Sequence, residues 1–334
     1  MRFVPTPEQE DFTASLGRLL AGADSVGAAR SWAQGDHAAG LALWRRLAEQ
    51  GVHALLVPEE HGGMGATPVE LVLALELVGR HAVPGPWVES VAFLPVALGS
   101  GPVVEALAEG GLGTVALVPH VPYALDADLA EHRYVVVDGA LHGAEVGEQH
   151  TSVDGTRRLF SVTPTGTGQG TGLDTGLGTG DLDRAFDTAV LACAAQLLGA
   201  GERLLDDAVA YVKQRRQFGR EIGSYQAIKH QLANVRIALD FARPLVHGAA
   251  LADPATLGRD VSAAKLAAAD AAYLAARVAL QVHGAVGYTL ELDLSLWITK
   301  VRALVAAWGT TAYHRDRVLA ALVAEREQRT EVAG

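Results

Sequence analysis

Two segments of the chain combine side chains that could bind a ligand with glycines that let a ligand approach. The first contains Arg215, whose guanidinium presents a planar fork of hydrogen-bond donors. The second contains Gln281, whose amide can donate, and then Gly284 and Gly287, which would leave a helix end free of side-chain obstruction. Each segment alone also fits a simpler interpretation, in which Arg215 and Arg216 lie on a solvated face and the glycines only end a helix.

The other reactive residue types do not form a recognisable site. Cys193 is the single cysteine, so it can form neither an intrachain disulfide nor a cysteine-based zinc site. Its apolar neighbours predict a small core residue. The histidines are scattered without the spacing of metal ligands, and no metal site is predicted.

Long helices must position both segments. Apolar residues at three-to-four spacing predict four of them after the middle of the chain, at roughly 183–214, 224–250, 255–284 and 294–329. Four such helices with short connections predict an antiparallel bundle. Ser224 is the expected N-cap of the second helix, and Pro244 is expected to kink or divide it.

The rest of the chain divides into a helical part and a small β part. Helices are predicted at 8–21, 38–50 and 68–81, the last with a clear start at Thr67 and Pro68. Short β-branched runs follow, and then a Gly/Thr-rich stretch typical of a linker. The predicted fold is mostly α with a small central β-domain, in three domains: N-terminal helical (1–112), β with the linker (113–180) and C-terminal four-helix bundle (181–334).

Composition excludes several classes of function. A net charge of -11 argues against a nucleic-acid partner. The longest apolar stretches are interrupted by charges before they reach membrane-spanning length, which argues against a membrane protein. The acidic N-terminus lacks the basic segment of a secretory signal. A soluble, cytoplasmic protein is therefore expected.

The two segments, taken in order, resemble the motifs of the acyl-CoA dehydrogenase family. The first motif is an R-x-x-F-G turn followed by Q-x-I, carried here by Arg215, Gln217, Phe218, Gly219, Gln226, Ala227 and Ile228. The second, Q-x-x-G-G-x-G in the family, is carried by Gln281, Gly284, Ala285 and Gly287. The first hundred residues also resemble the opening helices of that family.

In that family both motifs bind the adenosine and pyrophosphate end of FAD belonging to a neighbouring subunit, across a dimer interface. The resemblance therefore implies an acyl-CoA dehydrogenase fold, FAD as cofactor and an acyl-CoA substrate. Arg215 would donate to the pyrophosphate, and Phe218 would supply an apolar wall. The full set of residues implied to bind FAD is Arg215, Gln217, Phe218, Gln226, Gln281, Gly284, Ala285 and Gly287.

The sequence departs from the family where the chemistry takes place. Many members carry a glutamate base after the glycine motif, and the matching position here holds Trp308. Others place the base on the first long helix of the bundle, where alignment puts Ala189. The β part also lacks the family's Trp-Ile-Thr-like flavin-binding segment, while SVDGTRRL at 152–159 resembles short subunits of actinobacterial heteromeric dehydrogenases.

These observations predict a subunit of a FAD-dependent acyl-CoA dehydrogenase that lacks its own catalytic glutamate. A longer dehydrogenase chain carrying that glutamate would be its partner, in a pair that doubles to a heterotetramer. One alternative is a self-sufficient homo-oligomeric flavoenzyme with a relocated base, acting on an unusual acyl-CoA or carrier-bound acyl group. Another is a scaffold protein of this fold that has lost flavin.

Overall fold

The computed structural model describes residues 4–165, 179–289 and 292–333. Helices form both ends of this part of the chain, and a small sheet lies between them. The α-helices are α1 (Pro7–Ala21), α2 (Ser25–Ala33), α3 (Ala38–Glu49), α4 (Pro68–Arg80), α5 (Leu94–Leu98), α6 (Pro102–Ala108), α7 (Thr179–Gln214), α8 (Gln226–Ala249), α9 (Leu257–His283), α10 (Leu294–Ala306) and α11 (Thr311–Ala333). Most of the predicted Gly/Thr-rich linker lies outside the described residues, and the domain boundaries stay predictions.

The sheet has five strands in the order β1-β3-β4-β5-β2. Strand β1 runs parallel to β3, and the other pairs are antiparallel. A small apolar cluster, which includes Val135 and Phe160, packs within it. The strands, with a two-stranded hairpin in the bundle, are β1 (Gly113–Leu117), β2 (Ala124–Leu125), β3 (His132–Val137), β4 (Ala140–His150), β5 (Leu159–Pro164), β6 (Arg216–Gln217) and β7 (Arg220–Glu221).

The predicted start of α4 is confirmed. The Thr67 side chain accepts a hydrogen bond from the backbone N–H of Val69 at 3.2 Å, and Glu70 accepts one from the Thr67 N–H at 2.9 Å. This capping box satisfies donors that the first turn of a helix leaves free. Pro68 takes the first helical position, as expected.

Helices α4 and α7 join the two helical parts into one large apolar core. Glycines allow their backbones to touch. A Cβ at Gly199 would lie 1.8 Å from the carbonyl oxygen of Glu76, and one at Gly79 would lie 2.1 Å from that of Gln196. Any side chain at these positions would force the two helices apart, so the glycines set the position of α7.

The C-terminal part differs from the predicted four-helix bundle. Its described residues form five α-helices, because the predicted helix at 294–329 breaks into α10 and α11. At the break Trp308 has a φ of +58° and Gly309 a φ of +102°, which no continuing right-handed helix allows.

One smaller expectation in α8 is also wrong. Tyr225, not Ser224, is the N-cap residue of α8, and Ser224 donates its hydroxyl hydrogen to the carbonyl of Glu221 at 2.6 Å instead. Of the two effects expected of Pro244, division of the helix does not occur, because α8 continues from Gln226 to Ala249, and the kink stays a prediction.

Residues Leu182–Gln214 of α7 are long and apolar enough to cross a membrane, contrary to the expectation from the sequence. Their most apolar window is 89% buried inside the protein, so its apolar side chains are already covered. Cys193 lies in this helix and is fully buried, which confirms it as a core residue. The helix is therefore a buried central helix of the fold.

Candidate cofactor-binding site

The first motif forms an exposed hairpin at the end of α7. Strands β6 and β7 pair around a two-residue turn, in which Phe218 has a φ of +51° and Gly219 a φ of +82°. Positive φ at both positions is typical of the tight turns that suit β-hairpins. A bulky residue in this region costs on the order of 1–3 kcal/mol and points to a functional position. The Phe218 ring is also 92% exposed, so nothing in the described chain stabilises it.

Basic side chains surround this hairpin. Residues 213–229 contain five basic residues and one acidic residue, in a chain whose net charge is -11. Arg215 and Arg216 are exposed, and neither forms an ion pair with a residue that the structure describes. Arg215 is held to α7 through its backbone, which donates to the Tyr211 carbonyl at 2.9 Å. The guanidinium is left free to bind an anionic group.

The second motif lies beside the first. The ring of His283, at the end of α9, stacks on the ring of Tyr211 near the end of α7, with centroids 4.1 Å apart. Gln281 and Gly284 are exposed just beyond this contact. Gly284 has a φ of +63° and open space where a Cβ would stand, so a ligand can reach its backbone.

The structure thus brings the two predicted motifs to one end of the bundle. Gly287 is the exception to their exposure, because it is buried and a Cβ there would lie 3.1 Å from the Leu280 side chain. The lack of a side chain at Gly287 is therefore explained by local packing. The exposed members of the predicted set are Arg215, Gln217, Phe218, Gln226, Gln281, Gly284 and Ala285. A free arginine fork, an exposed ring and an open glycine backbone fit the phosphate and adenosine end of a dinucleotide.

The two positions where a base is expected lie toward the opposite end of α7, Ala189 on that helix and Trp308 between α10 and α11. Ala189 and Trp308 are both fully buried. The Trp308 ring packs against Phe93, with centroids 5.4 Å apart, and lies 6.1 Å from the ring of Phe186. Neither position offers a carboxylate, and the indole fills the space around it.

The strained turn at Trp308 is fixed by buried polar groups. The Lys265 ammonium donates to the carbonyls of Leu304 at 2.8 Å and Ala307 at 3.0 Å, at the end of α10. His314 donates from Nε2 to the Trp308 carbonyl at 2.9 Å. Burial lowers the pKa of His314 to about 4, so the ring is neutral near pH 7 and keeps one nitrogen free to accept.

Glu89 is a buried acid that the sequence analysis missed. It is fully buried, and neither carboxyl oxygen has a hydrogen-bond partner among the described residues. Burial raises the pKa of Glu89, while the charge of Arg157 opposes that shift. The nearby Trp308 N–H also lowers this pKa somewhat, although no hydrogen bond of normal geometry joins the two groups and the indole nitrogen is unpaired as well.

The surroundings of Glu89 explain why its carboxyl group is protonated and why the sequence did not reveal it. It lies in a π-helical turn, Val88–Phe93, a rare conformation that is frequent at functional sites. The available signal was one carboxylate in the otherwise apolar run WVESVAFLPVAL. An acid there must be neutral, because an unpaired buried carboxylate is very costly.

The hairpin and the predicted base positions lie far apart along α7. From Ala189 to Gln214 the helix advances about 38 Å at 1.5 Å per residue.

Comparisons with known proteins agree with this architecture. Residues 6–117 match the model of the acyl-CoA dehydrogenase N-terminal domain, and residues 176–323 match that of the C-terminal domain. The acyl-CoA dehydrogenase IpdE2 of Mycolicibacterium smegmatis is 34% identical over 276 residues, covering 80% of this chain and 83% of that protein. IpdE2 of Mycobacterium tuberculosis is 32% identical, covering 89% of this chain and 91% of that protein.

Solved structures show the same fold at low sequence identity. A glutaryl-CoA dehydrogenase of Mycobacterium smegmatis in complex with FADH2 has a TM-score of 0.79 and 16% identity, covering 96% of this chain and 95% of that one. A steroid dehydrogenase variant named for two components, Tcur3481 and Tcur3483, has a TM-score of 0.80 and 19% identity, covering 96% of this chain and 99% of that one. With two matching domain models and relatives aligned over most of their length, this chain belongs to the acyl-CoA dehydrogenase family, whose cofactor is FAD.

Proposed function

We propose that the chain is the non-catalytic subunit of a heteromeric acyl-CoA dehydrogenase and completes the FAD site of a longer partner chain. The observation that carries this proposal is the contrast along α7. The hairpin end exposes Arg215, Phe218 and Gln281, whereas the base positions at the other end are buried and hold no carboxylate. A homodimer would build sites that have cofactor-binding groups but no base.

In the assembled enzyme this chain binds and orients the cofactor. Arg215 donates to the pyrophosphate, and Gln281 donates its amide N–H to the same end of the dinucleotide. Phe218 lies against the adenosine, and the open backbone at Gly284 admits the ligand. The supporting residues are Gln217, Gln226 and Ala285, whereas the buried Gly287 contributes to local packing. When bound, FAD supplies the hydride acceptor for dehydrogenation of the acyl chain.

The partner supplies the remaining chemistry. Its glutamate removes the proton α to the thioester carbonyl, and the hydride leaves from the β-carbon, which gives an α,β-unsaturated thioester. The similarity to the acyl-CoA dehydrogenase IpdE2 supports this class of reaction. We place this enzyme in the cytoplasm, with two pairs forming a tetramer.

Co-production with a partner tests the proposal. The partner to use is a longer acyl-CoA dehydrogenase chain from the same genome that carries glutamate at the position of Trp308. Size-exclusion chromatography and flavin absorbance should give one FAD per pair of chains. A stable homo-oligomer with one FAD per chain would overturn the proposal, and a folded chain that binds no flavin in either state would favour a scaffold.

A second candidate function is favoured by Glu89. A self-sufficient flavoenzyme would need a carboxyl group near the base position, and Glu89 is a buried acid whose pKa burial raises more strongly than the Trp308 N–H lowers it. Such an enzyme would bleach its flavin when an acyl-CoA is added without oxygen, and Glu89→Gln would abolish the bleaching. Against this candidate, Glu89 is sealed from solvent and faces an indole that would have to move before a thioester could reach it.

A further inference from the structure

A polar cavity lies where the sheet meets the turn between α2 and α3, and the SVDGTRRL segment at 152–159 forms one of its walls. Its volume is about 520 Å³, within the range of small-molecule sites. We propose that this cavity, the Arg157 cavity, binds a small hydrophilic molecule through a phosphate or carboxylate group. The inference does not depend on the proposed function, because the residues that line the cavity come from other segments than the hairpin and the base positions.

Arg157 is a cationic group of the cavity that has no acidic partner in the described chain. Its side chain is half-buried and makes no hydrogen bond or ion pair with any residue that the structure describes. Its backbone is fixed, since the N–H donates to the carbonyl of Asp154 at 3.0 Å. A guanidinium has five N–H donors, and its partial removal from water is costly unless acceptors replace the water. The oxyanion of a ligand would satisfy these donors with a two-pronged contact.

The other side chains of the cavity that carry a fixed charge are already paired. Asp154 is fully buried, and its carboxylate lies 3.2 Å from the ammonium of Lys300 on α10. Arg158 forms an ion pair with Asp128. The remaining positive charge is therefore that of Arg157, in a chain whose net charge is -11.

The buried acids near Arg157 do not take the place of a ligand. Burial raises the pKa of Glu89 and raises that of Asp126 to about 8, and the positive charge of Arg157 opposes the shift in both. The guanidinium is thus within electrostatic range of both carboxyl groups, although it forms no ion pair with either. Both acids are mainly protonated near pH 7, so neither supplies the negative charge that Arg157 lacks.

The turn that carries Arg157 is held rigidly. Thr156 donates its backbone N–H and its hydroxyl hydrogen to Oδ1 of Asp154, at 2.9 and 2.8 Å. The Lys300 ammonium donates to the Thr156 hydroxyl at 3.0 Å. These buried contacts fasten the turn to α10, so Arg157 is positioned before a ligand arrives, which lowers the entropic cost of binding.

Neutral hydrogen-bonding groups around the cavity indicate the class of ligand. Gln34 and Gln149 line it with exposed side chains, and their amides can donate to oxygen atoms. The hydroxyl of Ser152 accepts a hydrogen bond from the Asp154 N–H at 3.2 Å and keeps its own hydrogen to donate. Such a lining suits a hydrophilic anion better than an acyl chain. The volume leaves room for a polar body attached to the phosphate or carboxylate group.

Calorimetric titration of the whole chain with inorganic phosphate, glycerol phosphate and succinate tests the inference. We expect one site per chain at millimolar concentration of a phosphate or carboxylate probe. Arg157→Gln should weaken that binding at least tenfold, because the charge and the planar fork are both lost. Arg326→Gln is the matched control, since it removes the same charge from an exposed position near the end of α11. Comparison of the phosphate probes with succinate shows which oxyanion the cavity selects.

Ala33→Glu tests the same cavity and leaves its ion pairs unaltered. Ala33 is exposed at the end of α2 and lines the cavity, and a Cβ at Gly155 would lie 3.3 Å from the Ala33 Cβ. A glutamate at this position would supply an internal carboxylate to Arg157 and should abolish probe binding. Circular dichroism and urea denaturation verify that each variant is folded, and if Arg157→Gln does not fold, the result with Ala33→Glu decides.

Three outcomes would overturn the inference. The first is that the unaltered chain binds none of the three probes, or that Arg157→Gln and Ala33→Glu bind them as well as the unaltered chain does. The second is an equal loss of binding in Arg326→Gln, which would reveal unspecific attraction between charges. The third is binding that Arg215→Gln abolishes and Arg157→Gln does not, which would place the probe at the hairpin.

Discussion

The two ends of helix α7 have opposite characters. At the hairpin end, Arg215 and Phe218 are exposed and have no partner in the described chain that would account for them. At the other end, Trp308 and Ala189 are fully buried in an apolar core. The first end exposes groups that can bind a charged cofactor. At the second end, buried apolar side chains occupy the positions where a base was predicted.

Under the proposed function, the fold has kept a cofactor-binding surface and lost an active site independently. The surface needs only exposed donors and an open backbone on a rigid helix end. The active site needs a carboxylate, a cavity and an opening, and the proposal assigns Trp308 to the space they require. Glu89 is buried near this tryptophan, and neither of its carboxyl oxygens has a hydrogen-bond partner among the described residues. Burial raises the pKa of Glu89.

The largest expected effect is on turnover. The isolated chain should oxidise acyl-CoA with an artificial electron acceptor at least a hundredfold more slowly than the assembled pair, because a positioned general base contributes about 10²–10⁴-fold. Steady-state rates at equal flavin concentration measure the difference. If the isolated chain turned over acyl-CoA as fast as the pair, it would contain its own general base, and the proposed loss of the active site would be wrong.

The next effect is on stability, at the buried end. Trp308→Ala removes a fully buried ring and should lower the free energy of unfolding by about 3 kcal/mol, the lower part of the range for such changes, because the unpaired indole nitrogen is lost with it. Urea denaturation measures this. FAD affinity of the assembled pair should not change, and a parallel loss of affinity would show that the two ends serve the same cofactor.

The third effect is on cofactor affinity, at the exposed end. Arg215→Ala should weaken FAD binding by the assembled pair about thirtyfold, since a charge-assisted hydrogen bond is worth about 2 kcal/mol. Flavin fluorescence during titration measures the affinity. Arg326→Ala, an exposed arginine near the end of α11, is the control and should leave it unaltered. Full flavin occupancy with lost turnover in Arg215→Ala would assign this residue to chemistry instead.

The features that the sequence predicted well depend on neighbouring residues. The start of α4 follows from Thr67, Pro68 and Glu70, which act within a single turn. The hairpin motif is local too, because Phe218 and Gly219 form its turn. The long helices were predicted because their apolar spacing repeats over many turns.

The features that the sequence did not predict depend on contacts between distant segments. The break at Trp308 is fixed in part by Lys265, which lies on α9 and donates to carbonyls at the end of α10, so the spacing of 294–329 alone indicated one helix. Glu89 was missed because its burial comes from packing in the folded chain, which the run of residues around it does not reveal. Ser224 is a local exception: it was predicted as an N-cap, but its hydroxyl donates to the carbonyl of Glu221, only three residues before it.

The smallest expected effect concerns the charge state of Glu89 and its consequence for stability. Burial raises the pKa of this carboxyl above the ordinary value of 4.5, so the folded chain keeps a proton that the unfolded chain releases. Below about pH 4.5 both states are protonated and stability is unaffected by this group. As pH rises from there toward the folded pKa, stability is lost, by about 1.4 kcal/mol for each unit of the shift.

Glu89→Gln isolates this contribution, because glutamine has a similar shape and does not titrate. The variant should match the unaltered chain near pH 4 and become progressively more stable than it toward pH 8, as measured by urea denaturation at several pH values. Asp126, whose pKa burial raises to about 8, titrates in both proteins, so its contribution cancels in the difference. Glu109→Gln, at an exposed position, is the control and should give no such trend. A difference that stays flat or reverses with pH would mean that Glu89 is ionised in the folded chain. The buried end of α7 would then hold a carboxylate ready to accept a proton, and the contrast with the hairpin end would no longer separate binding from chemistry.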